Sequence, residues 1–236
     1  MKEIYVFNTL RRHRKLFLLN QKEVAEEMGL RGSGRISEWE NGKTMPNVVN
    51  LFKLSQLYRT SPTELYFKLW DACGKTSAKI ICGLSLGTRT TGIAIMYRSK
   101  LVYWRSLSFP EKWSVKKRRR ILVKIENILV RYQVSEIVLK KIDPRKSSPG
   151  LDLIVADVLS LPKKNGIPLS VVHLNILKHH WSAGEKMNLR KLTLAVWDKY
   201  PELRPHHRNR ITPIPKDVHR VFLAAALAKR YVDMQR

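Results

Sequence analysis

Cysteine and long hydrophobic runs are both scarce in this sequence. Its 236 residues include two cysteines, Cys73 and Cys82, which are too few for a disulfide framework or a cysteine zinc site and point to a reducing compartment. No stretch reaches the roughly 18 apolar residues that a membrane-spanning helix needs. The start of the chain shows no signal peptide, because basic residues 11–15 follow it without a long apolar region. We therefore expect a cytoplasmic protein with no membrane partner, associated with the nucleoid if the source is bacterial.

Acidic residues are also scarce, with 19 aspartates and glutamates against 45 lysines and arginines. The net charge of +26 favours a polyanion as the partner. The alternative is a cationic protein whose charge serves only its solubility. Most of the excess charge lies beyond residue 78. The C-terminal part of the chain is therefore the main source of the positive potential.

The hydrophobic pattern changes along the chain and indicates two domains. Residues 1–70 have helical spacing, residues 71–78 are small and polar as in a linker, and residues 79–236 have strand-like runs between helices. The apolar content of 44% is ample for two packed cores. The expected fold class is α followed by α/β, with an all-α bundle before a mixed sheet.

The first domain is predicted to hold about five short helices. Asn20 and Glu23 have the spacing of a capping box at the start of one helix, which Gly29 ends. A second helix is expected from Ser33 or Gly34 to Asn41, with Ile36 and Trp39 in the core. We expect Glu38 and Glu40 on a solvated face or as helix-cap partners.

The segment "NQKEVAEEMGLRGSGRISEWENGKTMPNVVNLFKLSQLYRTSPTEL" (20–65) resembles the helix-turn-helix domain of the Xre and lambda-repressor type. The resemblance implies that the helix after "RGSG" enters the major groove of DNA, although this turn is one residue longer than usual. The residues that it places on the DNA-facing side are Gln21, Arg31, Ser33, Arg35, Ser37 and Lys43, with Gln21 near phosphate.

The second domain is predicted to begin with a three-stranded meander over residues 80–86, 92–98 and 101–109. An amphipathic helix should follow, with Lys116, Lys117, Arg118, Arg119 and Arg120 in its first turns. We expect these five cations to contact nucleic acid, with a solvated helix face as the alternative. Further strands are expected at 137–139 and 169–174, and further helices at 151–161, 188–199 and 216–231. This order predicts a mixed sheet with helices on both faces.

The segment "GLSLGTRTTGIAI" (83–95), with this order of elements, resembles the RuvC branch of the RNase H-like fold, the Holliday-junction resolvases. The resemblance implies four carboxylates that hold two divalent ions about 4 Å apart. In this sequence those positions hold Ser85, Lys140, Asp217 and Arg220. One remaining acid cannot assemble such a centre, so the resemblance implies a nuclease fold without its metal site. Lys140 and Arg220 are then predicted to contact nucleic acid in place of the metals, or else to lie on solvated edges.

The interpretation that follows is a DNA-binding protein with a regulatory or architectural role and a catalytically inactive resolvase-like domain, without metal or cofactor. Duplex DNA is the expected partner, and branched DNA, a homodimer and a larger nucleoprotein complex stay open. One alternative is an active nuclease with relocated acids, Asp143, Asp152, Asp157 and Asp217. Another is a subunit whose resolvase-like surface binds a protein. The pairs His179–His180 and His206–His207 are weak metal candidates, since adjacent side chains diverge.

Overall fold

The computed structural model describes residues 6–66, 79–182, 184, 186–203 and 216–235, without the side chains of 216–218. The chain divides into two compact units, Met1–Ala78 and Lys79–Arg236. The predicted linker at 71–78 and the pair His206–His207 lie outside the described residues. No helix in the described ranges is long and apolar enough to cross a membrane.

Residues 6–66 of the first unit form five helices, as predicted. They are α1 (Leu10–Leu16), α2 (Gln21–Glu27), α3 (Gly34–Glu40), α4 (Val48–Leu57) and α5 (Pro62–Leu65). The Asn20 side chain accepts hydrogen bonds from the backbone of Lys22 and Glu23, and the Glu23 carboxylate accepts one from the Asn20 backbone, which confirms the capping box. Ile36 and Trp39 are 2% exposed and pack with helices α1, α2 and α4, so their predicted place in the core is also confirmed.

The described part of the second unit holds a five-stranded sheet in the order β3-β2-β1-β4-β5. The strands are β1 (Ile80–Ser85), β2 (Thr90–Tyr97), β3 (Lys100–Ser108), β4 (Glu136–Lys140) and β5 (Leu169–Val172). β1, β2 and β3 pair antiparallel, and β4 pairs parallel with both β1 and β5. The predicted meander and mixed sheet are confirmed.

Helices cover both faces of this sheet. They are α6 (Val115–Arg131), α7 (Pro149–Asn165), α8 (Leu174–Trp181), α9 (Leu189–Lys199) and α10 (Lys216–Met234). Helix α10 lies against β1, β2 and β3, with α8 and α9 beside it. On the opposite face, Tyr103 of β3 contacts Tyr132 at the end of α6, with ring centroids 4.7 Å apart. The sequence does not predict α8, a short helix whose single buried hydrophobic residue is Leu177.

Two glycines allow α10 to lie directly on the sheet. A Cβ on Gly83 of β1 would come within 1.9 Å of the Ala224 carbonyl oxygen, and one on Gly92 of β2 within 2.1 Å of the Arg220 carbonyl oxygen. Neither position can carry a side chain unless the helix moves away. This close contact fixes Arg220 above the C-terminal end of β1 and the N-terminal end of β2.

Candidate nucleic-acid interface

The start of helix α3 presents basic side chains to solvent. Arg31 and Arg35 are exposed, as is Lys43 beyond the helix, while Ser33 and Ser37 are half-buried. None of these three cations makes an ion pair with any described residue. The exposed N-terminal turn of α3 therefore carries unneutralised positive charge.

Behind this surface a buried network joins α1, α2 and α3. Arg14 and Glu40, 5% and 7% exposed, form a two-point ion pair in which Arg14 Nε and Nη2 donate to the carboxylate, the second at 2.9 Å. Gln21 Nε2 donates to the same carboxylate at 2.8 Å. The expectation that Glu40 lies on a solvated face is wrong, and Gln21 has an internal partner where a phosphate contact was predicted. Arg14 and Glu40 are 26 residues apart in the sequence, so no local pattern predicts their ion pair.

In the second unit, two of the positions that the resemblance singled out lie at adjacent strand ends. Leu84 of β1 pairs with Leu139 of β4, and each strand continues by one residue, to Ser85 and Lys140. Ser85 is 0% exposed, and its hydroxyl has no hydrogen-bond partner among the described residues. Lys140 is half-buried and forms no ion pair or hydrogen bond with the described residues.

Arg220 of α10 completes this group, defined here as the strand-end cluster of Ser85, Lys140 and Arg220. Its Nη1 donates to the Leu86 carbonyl oxygen, next to Ser85. The guanidinium also lies so close to Gly87 that a Cβ there would be 2.6 Å from Arg220 Cζ. The fold thus brings together three residues that are far apart in sequence. The side chain of Asp217, one helical turn earlier, lies outside the described residues.

No carboxylate of the described residues pairs with either cation of the strand-end cluster. Burial lowers the pKa of Arg220. Burial also lowers the pKa of Lys140, followed by repulsion from Arg220 and then Lys146, while Asp143 acts in the opposite direction. Lys146, three residues after Asp143, is a contributor that the sequence did not single out. Two cations held close together, with no described carboxylate between them, repel a metal ion and attract an anion.

Of the four relocated acids, Asp143, Asp152 and Asp157 do not form a metal site among the described residues, and the side chain of Asp217 lies outside them. Asp143 pairs with Arg145, and Asp157 pairs with Arg118. Asp152 accepts a hydrogen bond from Ser147. No group of three His, Cys, Asp or Glu side chains that could hold a metal occurs in the described ranges. His180 contacts Asp233 at 3.2 Å, a pair rather than a metal-ligand set.

The basic run at the start of α6 is largely engaged within the fold. Lys117 is 4% exposed, and its ammonium donates to the carbonyl oxygens of Phe109 and Glu111 at 2.8 and 2.5 Å, so the prediction that it contacts nucleic acid is wrong. Arg118 forms a two-point ion pair with Asp157, with both distances 2.6 Å. Arg120 pairs with Glu111 at 3.1 Å.

Two cations of this run differ from the other three. Lys116 and Arg119 are exposed and have no ion-pair partner in the described part of the chain. Nucleic-acid contact by Lys116, Arg118, Arg119 and Arg120 stays a prediction, and it is the two cations without a described acidic partner, Lys116 and Arg119, that carry unneutralised charge. The sequence could not separate them, because Asp157 is 39 residues away from Arg118.

Comparison with known families assigns the first unit. Residues 10–65 match the family model described as helix-turn-helix. These residues form a helix-turn-helix domain. The resemblance seen in the sequence is thereby confirmed, and helix α3, with Arg31 and Arg35 near its start, lies within the matched segment. No curated protein matches this sequence.

Solved structures assign the fold of the remainder. Thermus thermophilus RuvC in complex with a Holliday junction substrate is similar at a TM-score of 0.51 and 14% identity, over 66% of this chain and 95% of RuvC. A second T. thermophilus RuvC structure gives a TM-score of 0.52 and 12% identity, over 66% of this chain and 96% of RuvC. At such low identity the likeness concerns the fold alone. The unit that follows the helix-turn-helix domain has an RNase H-like fold.

Proposed function

We propose that this protein binds DNA without cutting it, in a regulatory or architectural role. The observation that carries the proposal is the strand-end cluster, which has a serine, a lysine and an arginine where the resolvase-like fold would hold metal-binding acids. A metal-dependent nuclease needs anionic oxygen ligands to hold its ions and activate water. Fixed cations at that place favour binding of a phosphate and disfavour binding of a metal.

The helix-turn-helix domain would recognise duplex DNA. Arg31 and Arg35 lie at the exposed start of α3, the end that enters the major groove in this type of domain. Gly32 and Gly34 would allow DNA to approach this turn closely. A Cβ on either glycine would meet nothing within 4 Å, and neither glycine has a positive φ. The fold therefore does not require glycine at these positions, whereas a nearby DNA backbone would favour it.

The RNase H-like unit would supply the second contact with DNA. T. thermophilus RuvC is similar in fold and has been solved with a Holliday junction substrate, so branched DNA is a reasonable test ligand beside duplex. A recombination or mobile-element setting would combine both kinds of DNA, and a homodimer or a larger assembly would fit it. The role agrees with the cytoplasmic, nucleoid-associated location expected from the sequence.

The proposal is tested with purified full-length protein, a labelled four-way junction and a duplex of the same sequence. We expect binding to both DNAs in the presence of a chelator, and no cleavage product after addition of Mg²⁺ or Mn²⁺. An Asp217→Ala variant purified in parallel is the control, because Asp217 is the one acid left at the four positions. Metal-dependent cleavage that is present in the wild type and lost in this variant would establish the nuclease alternative. Absence of DNA binding would favour the protein-interaction alternative.

A further inference from the structure

We propose that Lys140 and Arg220 together bind one phosphate of the nucleic-acid backbone, without a metal ion, at the ends of β1 and β4. The inference rests on the proposed DNA binding and specifies which part of the RNase H-like unit receives the strand. Four features of the described residues support it: the position of the two cations, their unused hydrogen-bond donors, the absence of a compensating acid and the neutral side chain of Ser85.

The two cations are placed by independent parts of the fold. Lys140 is the last residue of β4, held between β1 and β5 by its pairing with Val172. Arg220 is set by the contact of α10 with Gly92 and by its own hydrogen bond to the Leu86 carbonyl oxygen. Because strand pairing and helix packing hold them, the cations need little reorganisation when they bind an anion.

Both side chains keep donors that the fold does not use. An arginine has five N–H donors in a planar fork, and among the described residues Arg220 donates only to Leu86. The Lys140 ammonium has three donors, none of which has a partner in the described residues. The guanidinium fork and the ammonium point charge are both common ligands of phosphate.

Among the described residues, the charges around Lys140 and Arg220 are predominantly positive, which favours binding of an anion. Lys146 adds positive potential at Lys140, and the nearby Asp143 is itself paired with Arg145 through contacts of 3.2 Å. Burial and mutual repulsion lower the pKa of Lys140, which is an energetic cost of holding the two charges together. A phosphate between them would relieve this repulsion, and a cation would increase it.

Ser85 accounts for the availability of Arg220. Its hydroxyl is enclosed and has no partner in the part of the chain that the structure describes, and its paired residue Gly92 lies under the Arg220 backbone. A carboxylate at position 85 would lie beside Arg220 and neutralise it, as Glu40 neutralises Arg14 in the helix-turn-helix domain. With a neutral serine at position 85, no carboxylate of the described residues compensates the guanidinium charge.

The test measures binding of the full-length protein to a labelled nonspecific duplex, in a chelator, over a series of salt concentrations. The site variant is Lys140→Met/Arg220→Met. The matched control is Lys163→Met/Arg190→Met, which removes one exposed lysine and one exposed arginine that have no ion-pair partner in the described ranges. Circular dichroism and thermal unfolding verify that each variant is folded.

Each phosphate contact contributes about 0.9 to the slope of log affinity against log salt on duplex DNA. We expect the site variant to flatten this slope by about 0.9, the contribution of the one phosphate that the two cations share, and the control by less than half as much. Equal slopes in the site variant and the control overturn the inference. If Arg220→Met disturbs folding, Lys140→Met alone decides, since the Lys140 ammonium makes no bond in the described structure; it should flatten the slope by more than the control does and by at most about 0.9.

Two further variants separate a binding site from general charge loss. Ser85→Asp should flatten the slope as the loss of Arg220 does, because the new carboxylate competes with DNA for the guanidinium, whereas Ser85→Ala should leave the slope unchanged. A normal slope in a folded Ser85→Asp variant contradicts the inference.

Inorganic phosphate at matched ionic strength tests the source of the anion. Suppose that inorganic phosphate raises the unfolding temperature of the wild type and not of the site variant, while the site variant and the control have equal salt slopes for DNA binding. The site then binds free phosphate, and the inference is wrong.

Failure of the inference and failure of the proposed function give different results. Wild-type protein that does not bind DNA, or that cleaves it, refutes the function. Wild-type protein that binds DNA with a salt slope independent of Lys140 and Arg220 refutes only the phosphate site.

Discussion

Arg14 in the helix-turn-helix domain and Arg220 in the RNase H-like unit are both withdrawn from solvent, but their charges are handled differently. Arg14 forms a two-point ion pair with Glu40, which also accepts a hydrogen bond from Gln21. Arg220 donates to a backbone carbonyl, has the uncharged Ser85 nearby and is repelled by Lys140. Glu40 neutralises the first arginine within the fold, whereas no described acid neutralises the second.

The same distinction divides the basic run of α6. Arg118 and Arg120 resemble Arg14, since each has a carboxylate partner, whereas Lys116 and Arg119 have none in the described residues. A high density of basic residues in the sequence is therefore a poor measure of the charge that a partner meets. What matters is whether the fold places an acid beside each cation.

The largest expected effect is on the neutralised arginine. Glu40→Ala would leave Arg14 buried without its carboxylate, and removal of one partner from a buried ion pair costs about 3–5 kcal/mol of unfolding free energy. Denaturant unfolding of the full-length protein measures the loss. Glu38→Ala, at an exposed position of the same helix, is the control and should change stability by less than about 0.5 kcal/mol. If Glu40→Ala and Glu38→Ala lower the unfolding free energy equally, Glu40 does not neutralise Arg14 in the way described, and the two arginines do not differ in this respect.

The next effect concerns an exposed arginine of the helix-turn-helix domain. Arg35→Ala should cost about 1–3 kcal/mol of binding to the preferred DNA site if the side chain contacts a guanine edge, with a smaller loss on unrelated sequences. Competition binding with specific and nonspecific duplexes measures the difference. Arg59, exposed beyond α4, offers a control position at which Ala should weaken binding to both DNAs alike or not at all. Unchanged sequence preference in Arg35→Ala would exclude it from recognition.

The basic run allows a matched comparison of free and paired cations. Lys116→Gln/Arg119→Gln should flatten the salt dependence of DNA binding by about 2 units if both side chains contact phosphate. Arg118→Gln/Arg120→Gln removes the same number of charges from ion-paired positions and should flatten the slope by less than about 1 unit. Similar slopes for the two double variants would show that internal pairing does not decide which cations bind.

The smallest expected effect is a pH dependence of stability at Lys15. Burial, followed by repulsion from Arg14 and Arg11, lowers the pKa of Lys15 from 10.5 to about 8, although Glu40 acts in the opposite direction. Because the unfolded chain holds this proton more tightly, stability should rise between pH 8 and 10.5 as Lys15 loses its charge in the folded state.

Lys15→Met should raise the unfolding free energy at pH 7 by on the order of 1 kcal/mol and abolish that rise. Thermal unfolding at pH 7 and pH 9 measures both effects. Lys53→Met, at an exposed position of α4, is the control and should leave the pH dependence as in the wild type. A wild-type pH profile in Lys15→Met would mean that Lys15 is well solvated in the folded protein.

Local patterns determined much of this protein. The capping box at Asn20 and Glu23, the core positions Ile36 and Trp39, and the order of strands in the meander follow from short-range spacing, and all are present in the structure. The resemblance to two families also rested on contiguous motifs, at residues 20–65 and 83–95. Helix caps and strand alternation depend on neighbours a few residues apart, so they can be predicted from the sequence.

The partners of the charged residues were decided by the tertiary structure. Glu40 meets Arg14, Asp157 meets Arg118, and Lys117 turns inward to two carbonyl oxygens, none of which the charge pattern predicts. The resemblance singled out the positions of Lys140 and Arg220, but only strand pairing and the packing of α10 on glycine bring them together. Electrostatic effects depend on separation and burial in space, and chain folding sets both independently of distance along the sequence.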